Sequence, residues 1–192
     1  EFLKAIYEEN AHVVNVLDKY ANRKWSLDFN NFVTKIEIGD EIYNFSLFGE
    51  YQVKNFLCAY EAAVELGIDK SAIKRASEKT VWQCRFERYS SNPLVVLDGA
   101  HNPDGMTELK KVVEKGFSPD EVVAIVSILK DKDRKRILEI LRPVTSNIIF
   151  TSLAENPRGT VGEEIFALID DKRGCSIEND IVKAFEQAKN MN

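Results

Sequence analysis

The residues best suited to chemistry lie in one string, Leu97-Asp98-Gly99-Ala100-His101-Asn102-Pro103-Asp104-Gly105. It follows a four-residue apolar run, Leu94–Leu97, and opens a helical pattern that continues through Lys115. Asn102 can cap that helix, and Pro103 suits its first turn. Met106, Leu109, Val112 and Val113 form its apolar face, and Gly116 suits the stop. A helix placed this way aims free backbone N–H groups at whatever sits beside Asp98 and His101, which favours an anion such as phosphate. The same string also fits a tight βα turn, with Asp98 capping the next helix and His101 simply a surface histidine. Spacing alone leaves both readings open.

Four other segments carry candidate groups. In Gly49-Glu50-Tyr51-Gln52-Val53-Lys54-Asn55, Gln52 and Asn55 stand three apart at a helix start, so their amides point one way. In Trp82-Gln83-Cys84-Arg85-Phe86-Glu87, an extended backbone puts Arg85 and Glu87 on one face. They either pair with each other, or Arg85 stays available as a phosphate clamp. Asp131-Lys132-Asp133 opens a helix after an apolar strand; N-capping accounts for its acids, and Lys132 stands where a ligand can be reached. Asn156-Pro157-Arg158-Gly159 reads as a turn following the strand around Ile148–Thr151.

The chain has 192 residues, 44% apolar and 30% charged, which is a globular balance. With 26 basic and 31 acidic residues the net charge is −5, so there is no basic surplus of the kind that nucleic acid or an anionic membrane demands. No apolar run approaches the 18 or so residues of a membrane span. Cys58, Cys84 and Cys175 are odd in number and widely spaced, reading as reduced thiols of a cytoplasmic protein. With His12 and His101 the only histidines, no metal site is expected. None of the nine glycines precedes a lysine and no G-x-G-x-x-G occurs, so both the P-loop and the dinucleotide fingerprint are missing. The start, Glu1-Phe2-Leu3-Lys4, reads as neither a signal peptide nor a natural initiation site, so a fragment is expected.

These groups need elements to hold them. Residues 2–9 read as helical and lead into an apolar stretch at Val13–Leu17. Trp25–Ile38 and Glu41–Phe48 alternate around Gly39-Asp40, a β-hairpin signal. From Gln52 the period becomes helical through Val53, Phe56, Leu57, Tyr60 and Val64 to Gly67, and Lys70–Lys79 predicts a second helix. Beyond residue 80, apolar runs at Leu94–Leu97, Val122–Leu129 and Asn147–Phe150 alternate with helical patterns at Arg134–Leu141, Gly162–Asp170 and Asn179–Lys189. Short buried strands alternating with helices predict an α/β fold, a Rossmann-like open domain with a mostly parallel sheet.

The motifs are individually weak, but their order is specific: G-x-[HY]-Q-x-x-N, W-x-x-R-F-E, L-D-G-A-H-N-P, D-K-D and N-P-R. That order resembles the C-terminal part of folylpolyglutamate synthase, of the Mur ligase superfamily, from about Phe29 onward. The resemblance implies that 1–79 is the tail of an ATPase domain, its β-hairpin and helices, and 80–192 most of a glutamate ligase domain. It implies ATP and Mg²⁺, the metal ligands lying outside this sequence, and a folate (tetrahydrofolate or dihydropteroate) and L-glutamate as further substrates of a monomeric parent enzyme. By similarity Gln52, Asn55, Arg85 and Asp98 bind nucleotide, His101 is catalytic near the transferring phosphate or incoming glutamate, and Asn102, Lys132 and Arg158 lie on the substrate side. A peptidoglycan-type Mur ligase and a non-catalytic α/β binding module are the alternatives, and Arg85-Phe86-Glu87 with the Asp98–Asn102 string favours the folate branch. The sequence departs from the pattern at Tyr51, where histidine is usual, and at Gln83-Cys84, where Pro-Gly is usual. By the same resemblance, the last strand of the family is expected to lie beyond Asn192.

Overall fold

The computed structural model describes residues 12–153 and 156–191, so the helix expected at 2–9 lies outside the described residues. The chain forms two compact units, Glu1–Val81 and Trp82–Asn192.

In the first unit, Asn15 caps a single turn, α1 (Val16–Lys19), and three strands follow: β1 (Lys24–Asp28), β2 (Val33–Ile38) and β3 (Glu41–Phe45). They form an antiparallel sheet in the order β1-β2-β3. The run expected as one strand over Trp25–Ile38 is therefore two. Asp28 breaks it: its carboxylate accepts from the Asn30 and Asn31 amides at 3.0 and 3.1 Å and from the Asn31 side chain at 2.8 Å, and Phe32 turns left-handed at φ 54°. Helix α2 (Glu50–Glu65) buries Val53, Leu57 and Tyr60 against Ile36, Tyr43 and Phe45 of the sheet, joined by Ile73 of α3 (Lys70–Lys79). Glu61 is buried too, which the apolar period does not foretell; Lys19 and Tyr20 meet its carboxylate, the tyrosine at 2.6 Å.

The second unit begins with β4 (Glu87–Ser91) and β5 (Leu94–Leu97), paired antiparallel as a separate two-stranded hairpin. Leu94–Leu97 is thus not a buried strand of the parallel sheet. Its outer leucines are exposed, because residues 92–93 turn the chain straight back onto Glu87–Ser91. Then come α4 (Pro103–Gly116), β6 (Val123–Val126), α5 (Arg134–Leu141), β7 (Asn147–Phe150), α6 (Gly162–Phe166), β8 (Cys175–Ile177) and α7 (Ile181–Lys189). Strands β6, β7 and β8 form a parallel sheet in that order, flanked by helices, as an α/β domain requires. Ile148, Ile149 and Phe150 of the central strand are fully buried, and Ile137, Leu138, Leu141 and Ile165 pack in the same core. Strand β8 was not expected: three residues, Cys-Ser-Ile, are too few to show a pattern. Helix α6 ends at Phe166, short of the expected Asp170, and α7 starts after the Asp180 cap.

Candidate functional site

Arg85, Asp98, His101 and Asn102 meet around one loop of the second unit. Asp98 follows β5, and its carboxylate accepts from the Phe86 amide and the Ala100 amide, each at 2.8 Å. Burial pushes the Asp98 carboxyl above its ordinary range, while those two amides and the Arg85 charge pull it the other way. Gly99 donates from its amide to the Cys84 carbonyl at 2.8 Å. A Cβ on Gly99 would stand 3.3 Å from that carbonyl and 3.8 Å from Arg85 Nη1, so the guanidinium lies beside Gly99.

Of the two caps that the sequence left open, Asn102 and Asp98, the structure has Asn102. Asn102 accepts from the Gly105 amide at 2.7 Å, while Asp98 ties the Phe86 turn to the Ala100 turn. The extended backbone expected around Arg85 and Glu87 is corrected. Cys84 and Phe86 are left-handed, at φ 56° and 48°, so 84–86 is not extended, and Glu87 accepts from the Cys84 amide at 2.8 Å instead. His101 is exposed, with Nδ1 2.9 Å from the Gly99 carbonyl. A carbonyl only accepts, so Nδ1 carries the proton, and Nε2 of the neutral ring is an acceptor for an incoming proton.

A second cluster lies where the loops after β6 and β7 meet. The Lys130 amide donates to the Arg158 carbonyl at 2.9 Å. Lys132 Nζ and Arg158 Nη1 both approach the same oxygen of Asp131, at 3.3 and 3.4 Å. Burial pushes the Asp131 carboxyl up, but an amide contact and these two cations outweigh it and hold it below its usual range. N-capping explains only one acid of Asp131-Lys132-Asp133: Asp133 accepts from the Arg136 amide at 3.2 Å, and Asp131 collects the cations. The N-capping expected of both acids thus holds for Asp133 and not for Asp131, which stands between the two loops.

In the first unit, Asn55 donates to the Gln52 side-chain oxygen at 3.0 Å, so the two amides do share a face. Gln52 is buried and Asn55 exposed. Both line a groove of about 540 Å³ whose other walls include Phe45, Leu47, Phe56, Ala59 and Ala72. Among the described residues, no group of three His, Cys, Asp or Glu side chains is arranged to hold a metal ion, and no helix is long and apolar enough to cross a membrane.

The second unit is thus an α/β domain in which an Arg-Phe-Glu turn lies against the loop that opens α4. Residues 84–192 match the family described as Mur ligase, glutamate ligase domain, and the chain belongs to that family. It is 28% identical over 155 residues to a dihydrofolate synthase/folylpolyglutamate synthase of Bacillus subtilis (strain 168), covering 77% of this chain and 36% of that protein. It is 29% identical over 168 residues to a UDP-N-acetylmuramoyl-L-alanyl-D-glutamate–2,6-diaminopimelate ligase of Wigglesworthia glossinidia brevipalpis, covering 79% of this chain and 33% of that protein. Among solved structures it resembles Mycobacterium tuberculosis folylpolyglutamate synthase complexed with ADP: TM-score 0.70, 26% identity, 83% of this chain and 37% of that one. The chain thus spans about a third of the length of each of these three proteins.

Proposed function

We propose that this chain is the C-terminal part of a cytoplasmic, monomeric, ATP-dependent ligase that adds L-glutamate to the γ-carboxylate of a folate. Residues 1–79 would be the end of its ATPase domain and 80–192 its glutamate ligase domain. ATP transfers its γ-phosphoryl group to the folate carboxylate, releasing ADP and leaving an acyl phosphate. The glutamate amine attacks the acyl carbon, the tetrahedral intermediate collapses, an amide forms, and phosphate and a proton depart. Mg²⁺ neutralises phosphate charge in such a transfer, and its ligands belong to the part of the protein outside these residues.

The observation that carries this reading is Arg85 beside Gly99, next to an exposed His101 and the capped start of α4. A planar guanidinium holds phosphate oxygens bidentately, and a helix start tolerates accumulating negative charge. In this reading Arg85 clamps the terminal phosphates. His101 Nε2 takes a proton from the incoming amine, and Asn102 steers the substrate side at the start of α4. Asp98, with both oxygens engaged by amides, meets nucleotide only at its rim. Gln52 and Asn55 offer amide groups to nucleotide. Lys132 and Arg158 offer two cations to a glutamate carboxylate. The diaminopimelate ligase relative supports a second reading, a peptidoglycan-type ligase. The Arg85-Phe86-Glu87 and Asp98–Asn102 strings favour the folate branch.

A single-turnover assay of the full-length protein with ATP, labelled glutamate and either tetrahydrofolate or dihydropteroate tests the reaction; no labelled folate product with either acceptor sinks it. The 192 residues alone lack a P-loop and its lysine, so they are expected neither to hydrolyse ATP nor to ligate glutamate. Phosphate release above buffer, or micromolar ATP affinity by calorimetry, would contradict that assignment.

A further inference from the structure

We propose that Glu87 is a positioning residue for Arg85, acting through the backbone and not by pairing with the guanidinium. The inference rests on Arg85 being the anion clamp of the ligase reading. Arg85 is bracketed by two left-handed residues that are not glycine, Cys84 at φ 56° and Phe86 at φ 48°. Side chains with a Cβ enter that region only when surrounding contacts hold them there. Three contacts do so. Glu87 accepts from the Cys84 amide at 2.8 Å, Asp98 accepts from the Phe86 amide at 2.8 Å, and the Cys84 carbonyl accepts from the Gly99 amide at 2.8 Å. The Phe86 ring, 3% exposed, anchors the turn in the protein.

Asp98 and Gly99 thus fix the turn from the His101 side, and Glu87 fixes it from the strand side. The result is a guanidinium held beside Gly99. An acid two residues from an arginine would ordinarily be expected to neutralise it. Here that acid is occupied by an amide, and the positive charge remains available to an anion. Without the Glu87 acceptor, Cys84 has every reason to relax to an ordinary conformation and swing Arg85 away from Gly99, and misplacement of about 1 Å costs on the order of a hundredfold in rate.

Two variants separate a backbone role from a charge role. Glu87→Gln keeps an oxygen that can accept from the Cys84 amide; Glu87→Ala removes it. In the full-length protein, Glu87→Ala is expected to raise the KM for ATP or lower kcat, reducing kcat/KM for ATP about ten- to a hundredfold. The KM for glutamate should not move, and hydrogen exchange at the Cys84 amide should accelerate. Glu87→Gln should retain most of the wild-type value on every measure. Equal losses in the two variants would show that the charge of Glu87 matters and not its bond to the amide, overturning the proposal. An unchanged Glu87→Ala overturns it equally. A wild-type protein that ligates no glutamate overturns the ligase reading alone. The exchange rate and the affinity for ADP in the same three proteins then decide the role of Glu87.

Discussion

Arg85 is the side chain on which most of the proposed chemistry depends. Glu87 is turned to the Cys84 amide and Asp98 to two others, so the guanidinium is held by position more than by a partner. Arg85→Ala in the full-length protein is expected to cut turnover roughly 30- to 1000-fold, equivalent to about 2–4 kcal/mol of lost transition-state stabilisation. Arg85 is only half-buried, so the thermal stability should change by only about 0.5 kcal/mol, as for substitutions outside the core. Steady-state kinetics beside a melting curve reads both numbers. Unaltered kinetics would reduce Arg85 to a surface cation.

At the scale of elements, β8 is seated beside β7 by the loop that precedes it. Arg142, just after α5, donates to the Thr145 carbonyl at 2.6 Å and to the Arg173 carbonyl at 2.8 Å, and lies 3.4 Å from Asp171. Asp171 in turn takes the Arg173 side chain at 2.8 and 2.9 Å. Those side-chain bonds first, then the Arg173 amide and the two guanidinium charges, hold the Asp171 carboxyl well below the usual range, against a smaller effect of burial. A depressed acid binds its proton less well in the folded state. Its contribution to stability is therefore present above the unfolded value of about 3.9 and is lost as pH falls from there through the folded value. Asp171→Asn should be less stable than the parent at neutral pH, and the difference should close below about pH 4. Urea unfolding at several pH values checks it; a difference independent of pH would mean that the charge contributes nothing.

Among the described residues, each unit has a hydrophobic core of its own. Leu57 lies in the first, with Ile36, Tyr43 and Val53, and Leu138 in the second, with Ile137, Ile148 and Phe150. Both leucines are essentially fully buried. Each truncation to alanine removes about three methyl or methylene equivalents and leaves a cavity, at a cost of about 2–5 kcal/mol. Calorimetry of the chain is expected to show two transitions, Leu57→Ala lowering one and Leu138→Ala the other. A single transition moved by both variants would mean that the units unfold as one block.

The periodic elements were legible in the residues themselves. Helices α2, α3, α4 and α5 and the strand β7 follow from apolar spacing and from caps such as Asn102 and Asp133, because those signals act within one or two turns of chain. The order of short motifs likewise points to the family, since it needs only the sequence. What the sequence could not decide were pairings between segments distant along the chain. Leu94–Leu97 has the composition of a buried parallel strand, and only its hairpin with Glu87–Ser91 puts its leucines at the surface. Glu61 carries a charge on an apolar face, and Lys19 and Tyr20, some forty residues away, help to make its burial tolerable. The partners of Asp98, Glu87 and Asp131 were decided in the same way. A carboxylate bonds whichever donors the fold brings within about 3 Å, and those donors are amides and cations that come together only when the sheet and its loops have formed.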